Sequence, residues 1–285
     1  MCGIVGYLGD RPAYPMLIQG LRRLEYRGYD SAGVALVHEN GTLDVFKSKG
    51  KVADLERATQ GQDVSGTIGI AHTRWATHGE PNDANAHPHY SQSKTLAIIH
   101  NGIIENYNVL REMLRNHDYT FQSDTDTEVL VQLIEYIKQT NHCDLCTAVQ
   151  LALHEVVGAY AIAVIEKENP DLIVAARKSS PLVIGIRGNE RFLASDATPI
   201  IEHTKEVVYL NDEEVAVIRR NEPLQVVSLD NVVKPLHIKM LEMNISQLEK
   251  GGFPHFMLEE IYEQPRTIID CIRGRITPEG TDVIF

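Results

Sequence analysis

The chain opens on a short apolar run, Ile4 to Leu8 in MCGIVGYLG, which predicts a buried strand beginning almost at the first residue. Met16 to Tyr26 (MLIQGLRRLEY) then sets Leu17, Leu21 and Leu24 on one face at helical spacing. SAGVALVHENGTLDVFKSKG reads as two strands with Asn40-Gly41 as their hairpin turn. TIGIAHTRW and TLAIIHNG predict two further strands, each running into polar residues. NVLREMLRNH and TDTEVLVQLIEYIKQT are amphipathic helices, and Thr125 three residues before Glu128 fits a capping box. DLCTAVQLALHEVVG is another helix, stopped at Gly158.

From Ala159 to Leu229 the rhythm changes to short β runs: AYAIAVIE, LIVAAR, LVIGIR, RFLAS, EVVYL, EVAVIRR and LQVVSL. Turns are expected at Asn169-Pro170, Gly188-Asn189, Asn211-Asp212 and Asn221. Close spacing without intervening helices favours antiparallel pairing. About a dozen strands and four clustered helices predict antiparallel sheets covered by helices, an α+β layered architecture. Residues 241–285 depart from this pattern. A Gly-Gly-Phe-Pro break precedes a helix-like run, as expected of a linker into another domain.

Composition adds limits. With 285 residues the chain can bury a sizeable core. Hydrophobic content of 43% and charged content of 23% are those of a soluble globular protein. A net charge of −12 argues against nucleic acid or an anionic membrane surface as partner. No apolar run approaches the roughly 20 residues of a membrane span, and the N-terminus does not read as a signal peptide. Four cysteines make no disulfide framework, so free thiols in a cytoplasmic setting are expected.

Several places carry candidate chemistry. Trimming of Met1 would put the α-amine of Cys2 beside its own thiol, and an α-amine of ordinary pKa about 7.7–8.0 is a base near neutral pH. A structural cysteine is the alternative. Arg74 ends a predicted strand, where it can bind a carboxylate bidentately, with a surface ion pair as the alternative. Trp75, the only tryptophan, is a lid over a site or a packing anchor. Asn101 and Gly102 end a strand; their amide and N–H groups suit an oxyanion, although Asn-Gly also makes a tight turn. SDTDTE offers a helix cap or a carboxylate for an ammonium group. His72, His78, His87, His89 and His100 fit no common zinc spacing, so no metal or other cofactor is expected. Cys143 and Cys146 are read as structural thiols at i and i+3 of a helix.

Together MCGIVGYLG, LEYRGYDSAG, AHTRWATHGEP, NAHPH, HNGIIEN and SDTDTEV, in that order, resemble the class II glutamine amidotransferases across essentially the whole chain. The resemblance implies an N-terminal-nucleophile hydrolase fold of four layers, α/β/β/α, over residues 2–240. It implies that the Cys2 thiolate attacks the side-chain amide of L-glutamine, with its own α-amine as base. Asn101 and Gly102 would form the oxyanion hole. Arg74, with Thr77 and His78 beside it, would bind the α-carboxylate and Asp126 the α-ammonium, with His87 a further contact. Trp75 would gate ammonia passage, and Arg27 and Asp30 would support the motif.

Within the family, Trp75 and GGFPHFMLEEIYEQP favour the branch that passes ammonia to fructose 6-phosphate, and the lack of the long insertion typical of animal and fungal versions favours its bacterial form. Phosphoribosylpyrophosphate amidotransferases and asparagine synthetases are the competing branches. The sugar-phosphate isomerase domains of the favoured branch lie outside this sequence. Glutamine hydrolysis alone is therefore expected of it, or a catalytically silent fragment. The isolated piece is expected to be a monomer and the full-length enzyme a homodimer.

Overall fold

A computed structural model describes residues 2–26, 28–76, 79–241, 253 and 256–272. It divides into two units, Met1–Leu241 and Glu242–Phe285. In the first, β1 (Gly3–Leu8), β2 (Ser31–Val37), β3 (Leu43–Lys49), β4 (Ile68–Arg74), β9 (Val183–Arg187), β10 (Glu190–Ala194), β11 (Glu206–Tyr209) and β14 (Ile238–Met240) build one sheet. Its order is β14-β11-β9-β10-β1-β4-β2-β3. The second sheet holds β5 (His89–Tyr90), β6 (Leu96–Ile104), β7 (Gly158–Glu166), β8 (Asn169–Lys178), β12 (Glu214–Arg219) and β13 (Gln225–Ser228), in the order β13-β12-β8-β7-β6-β5. Every strand pair within the two sheets is antiparallel.

The sheets face each other across a core that includes Ile4, Ile70, Ala97, Ile99, Ala163 and Ile184. Helices α1 (Ala13–Leu24) and α2 (Val52–Ala58) pack on the outer face of the larger sheet. Helices α3 (Tyr107–Arg115), α4 (Asp126–Asn141) and α5 (Leu145–His154) cover the smaller one over a second core containing Leu114, Ile134, Val149 and Ile162. This is the expected α/β/β/α sandwich. It explains why β1, most of β2 and the Ile68–Ala71 part of β4 run apolar instead of alternating: each strand is covered on both faces and buried along its whole length, the polar ends Ser31 and His72–Arg74 included. No helix among the described residues is long and apolar enough to cross a membrane.

Several local expectations need correction. Helix α2 has only Val52 and Leu55 buried, too few for a legible apolar stripe. Asn169-Pro170 opens β8; the turn lies at Lys167–Glu168, and a proline lacking N–H is tolerated at the start of a strand. The Thr125 hydroxyl does accept from Glu128 N at 3.3 Å, but the Glu128 carboxylate does not return to the cap. It accepts from Gln122 N and Ser123 N at 2.8 and 2.7 Å, so it braces the preceding loop. Cys143 precedes the N-cap Asp144 and lies outside α5. Asn101 and Gly102 do not end their strand, because β6 continues to Ile104.

The second unit carries α6 (Phe256–Ile272), with Pro265 inside it and Met257, Ile261, Tyr262 and Ile268 exposed.

Candidate active site

Cys2 directly precedes β1, whose register sets Gly3 opposite Thr73. The thiol is thereby held beside the end of β4. Trp75 N–H donates to Cys2 Sγ at 3.2 Å, and the thiol lies 3.5 Å from Trp75 O as a donor in return. Burial pushes the Cys2 thiol above its ordinary value; the bond from Trp75 and the nearby Arg74 charge oppose that rise.

The loop carrying Trp75 is held from behind. Asp30 N donates to Arg74 O at 3.0 Å, and Asp30 Oδ2 accepts from Ala76 N at 2.9 Å. A Cβ on Gly28 would sit 3.0 Å from the Arg74 carbonyl carbon and 3.1 Å from Trp75 N, so any side chain would push that backbone back by a few tenths of an ångström. The Gly28–Asp30 stretch of the LEYRGYDSAG motif thus clamps the Arg74–Ala76 backbone. The Trp75 ring is about half exposed and meets Tyr29 edge-on at 5.7 Å.

The opposite sheet supplies Asn101 and Gly102. Asn101 Nδ2 donates to the Cys2 carbonyl at 3.1 Å, across the sandwich. Gly102 has φ +130°, and a Cβ there would stand 2.0 Å from Ala159 O. A side chain is excluded, and the strand turns its backbone toward the cleft at this point.

Asp126 is the first residue of α4 and is buried. Its Oδ2 accepts from Ile104 N at 2.8 Å, tying the helix start to the strand that carries Asn101. Arg74 is also buried, and its Nη2 donates to Gly79 O at 3.4 Å. Burial draws the Arg74 value down against the pull of Cys2, Asp126 and Asp30, a shift an arginine absorbs while keeping its charge.

These groups line one cleft of about 410 Å³ that contains Cys2, Arg74, Trp75, His87, Asn101, Gly102 and Asp126. A fixed cation, a fixed anion, a thiol and amide donors on one cavity suit a zwitterionic substrate with an electrophilic carbon. Asp30 reaches this group through the loop backbone. Arg27, Thr77 and His78 lie outside the described residues.

Sequence reasoning gave no role to His100, Thr127, Ala159 and Ser180, which also line the cleft. It also left His72 without a role, yet His72 Nε2 lies 2.9 Å from Asn101 Oδ1. The only signal was the crowd of histidines itself. They form a buried file: His72 and His87 rings are 4.4 Å apart, His87 and His89 5.0 Å, and His89 Nε2 meets the Thr125 hydroxyl at 3.0 Å. Burial holds all three neutral, with His72 pushed down to about 3 and His87 and His89 well below the ordinary value. Among the described residues no group of three acidic, histidine or cysteine side chains converges as a metal ion requires.

Fold and cleft together define an N-terminal-nucleophile hydrolase domain. Residues 56–250 match the family described as the glutamine amidotransferase domain, and the chain belongs to that family. Among its curated relatives is the glutamine–fructose-6-phosphate aminotransferase (isomerizing) of Bacteroides thetaiotaomicron, 65% identical over all of this chain and 46% of the relative. The same enzyme of Chlorobaculum tepidum is 52% identical over 98% of this chain and 46% of its own. The chain therefore spans a little under half the length of these relatives. Among solved structures, the glutamine phosphoribosylpyrophosphate amidotransferase of B. subtilis superposes with a TM-score of 0.66 at 27% identity, over 80% of this chain and 49% of that one.

Proposed function

We propose that this chain hydrolyses L-glutamine to glutamate and ammonia through a thioester on Cys2, once Met1 has been removed. The observation that carries the reading is the meeting of Cys2 with Trp75 N–H, from the loop that follows β4 of one sheet, and Asn101 Nδ2 from the other sheet. Arg74 takes the α-carboxylate and Asp126 the α-ammonium, which lays the side-chain amide against Cys2. Thr77, His78 and His87 complete the binding of the amino-acid end. The freed α-amine takes the thiol proton and the thiolate attacks the amide carbon. Asn101 and the Gly102 N–H hold the oxyanion, each donor contributing on the order of 10²-fold. Collapse expels ammonia, protonated by the α-ammonium just formed, and water then releases glutamate from the thioester. Trp75, whose backbone meets the thiol and whose ring rests against Tyr29, gates the escape of ammonia.

In the whole protein, by its likeness to the relatives named above, the ammonia is passed to fructose 6-phosphate to form glucosamine 6-phosphate. The identities of 65% and 52% favour this acceptor over phosphoribosylpyrophosphate, whose amidotransferase is 27% identical. The test is glutamate release by the Met1-trimmed chain and its Cys2→Ala variant, with fructose 6-phosphate present and absent. Release that depends on Cys2, without hexosamine formation by this chain alone, is expected. Release that survives Cys2→Ala overturns the reading.

A further inference from the structure

We propose that His72 is a positioning residue for the oxyanion hole: its Nε2–H fixes the side-chain amide of Asn101 so that Nδ2, and not Oδ1, faces Cys2. This rests on the function proposed above. An asparagine amide has two nearly isosteric orientations, and only one presents donors to the cleft. The Cys2 carbonyl can only accept, so the Asn101 atom 3.1 Å from it is the NH₂ group. Oδ1 is then the atom 2.9 Å from His72 Nε2, and that nitrogen must carry a proton. One N–H of Asn101 is spent on Cys2, which leaves the other for a substrate oxygen.

The surroundings of His72 favour the same state. The side chain is fully buried in β4, paired with Ile4 on one side and Gly33 on the other. Its ring lies against His87, and its Nδ1 has no hydrogen-bond partner among the described residues. A proton on Nδ1 would leave a buried donor unpaired and turn a lone pair toward Oδ1 of Asn101, both unfavourable away from water. A neutral ring with its proton on Nε2 avoids both. The bond also crosses from the larger sheet to the smaller, so it fixes the spacing of nucleophile and oxyanion donor.

The test uses the Met1-trimmed chain with His72→Leu and His72→Gln, the latter keeping an N–H donor. For His72→Leu, kcat for glutamine hydrolysis should fall by roughly tenfold to 10²-fold while KM moves less than about threefold. The rate of Cys2 alkylation by iodoacetamide should stay within about twofold, because displacement at a saturated carbon develops no oxyanion. His72→Gln should recover part of the loss. In the unaltered chain, ¹⁵N NMR should show Nε2 protonated and Nδ1 unprotonated, a readout that needs no variant to fold. An Nδ1-protonated ring, an unchanged kcat, or equal losses in hydrolysis and alkylation would overturn the proposal. Cys2→Ala run in parallel separates the two ideas. If it fails to abolish hydrolysis, the glutaminase reading itself falls. If it abolishes hydrolysis while His72→Leu does not lower kcat, only the role of His72 falls.

Discussion

Cys2 and Cys146 are both partly buried free thiols in the same unit, and the molecule treats them oppositely. Cys146 lies on α5, packed against the core of the smaller sheet, with only a 4.0 Å contact to Gln150 Oε1. Burial and the nearby Asp144 push its thiol up to about 11, opposed only by Arg219. Cys2 meets the same desolvation at a cleft, but a peptide N–H and the Arg74 charge lean the other way. Residue type therefore says little about chemistry here. What separates the two thiols is which backbone donors and charges the strand ends bring to them.

The comparison can be broken or sharpened by experiment. The largest effect is expected from Cys2→Ala, which should lower glutamate release by 10⁴-fold or more, whereas Cys146→Ala should leave it within about twofold. Steady-state assays on both variants decide this, and equal losses would erase the distinction. Next, Asn101→Leu should reduce kcat by roughly 10²–10³-fold with iodoacetamide alkylation of Cys2 preserved. A parallel collapse of alkylation would instead mean that Asn101 holds Cys2 in place.

A third effect concerns the buried histidine file behind the cleft. His72, His87 and His89 stay neutral when folded, facing Arg74, Lys47 and His100, but titrate near their ordinary 6.5 once unfolded. Below that value the unfolded chain binds protons the folded chain refuses. Stability should be full above about pH 6.5 and fall as pH drops toward about 3. His72 alone should cost about 2 kcal/mol at pH 5. Denaturant midpoints at pH 7.5 and pH 5 measure this, and a flat profile would contradict it. The smallest effect is expected from Asp30→Ala, which frees the Ala76 N–H and loosens the Trp75 loop. It should lower kcat/KM about tenfold, consistent with loss of one hydrogen bond to a charged acceptor.

Much of this was legible in the sequence because the signals were local. The apolar runs of β1, β2 and β4, the hairpin at Asn40-Gly41 and the cap at Thr125 follow from spacing and residue type alone. The division of strands between sheets was not. The chain leaves the smaller sheet after β8, builds β9 to β11 into the larger one, and returns for β12 and β13. Nothing in LVIGIR or EVAVIRR marks that exchange. The candidate site divides likewise. Cys2, Arg74, Asn101 and Asp126 stand in motifs, and the cleft gathers them. The Asp30 clamp and the bond from His72 depend on contacts across strands and sheets, which only the folded chain brings together.

The most direct test of the central claim is to mix the trimmed chain with glutamine, quench in acid within the first turnovers, and map the peptides by mass. The account predicts a glutamyl group on the peptide beginning with Cys2, absent from those carrying Cys143, Cys146 or Cys271. Glutamate release with no acyl group on Cys2 at any quench time, under conditions where thioester hydrolysis is slowed, would contradict it.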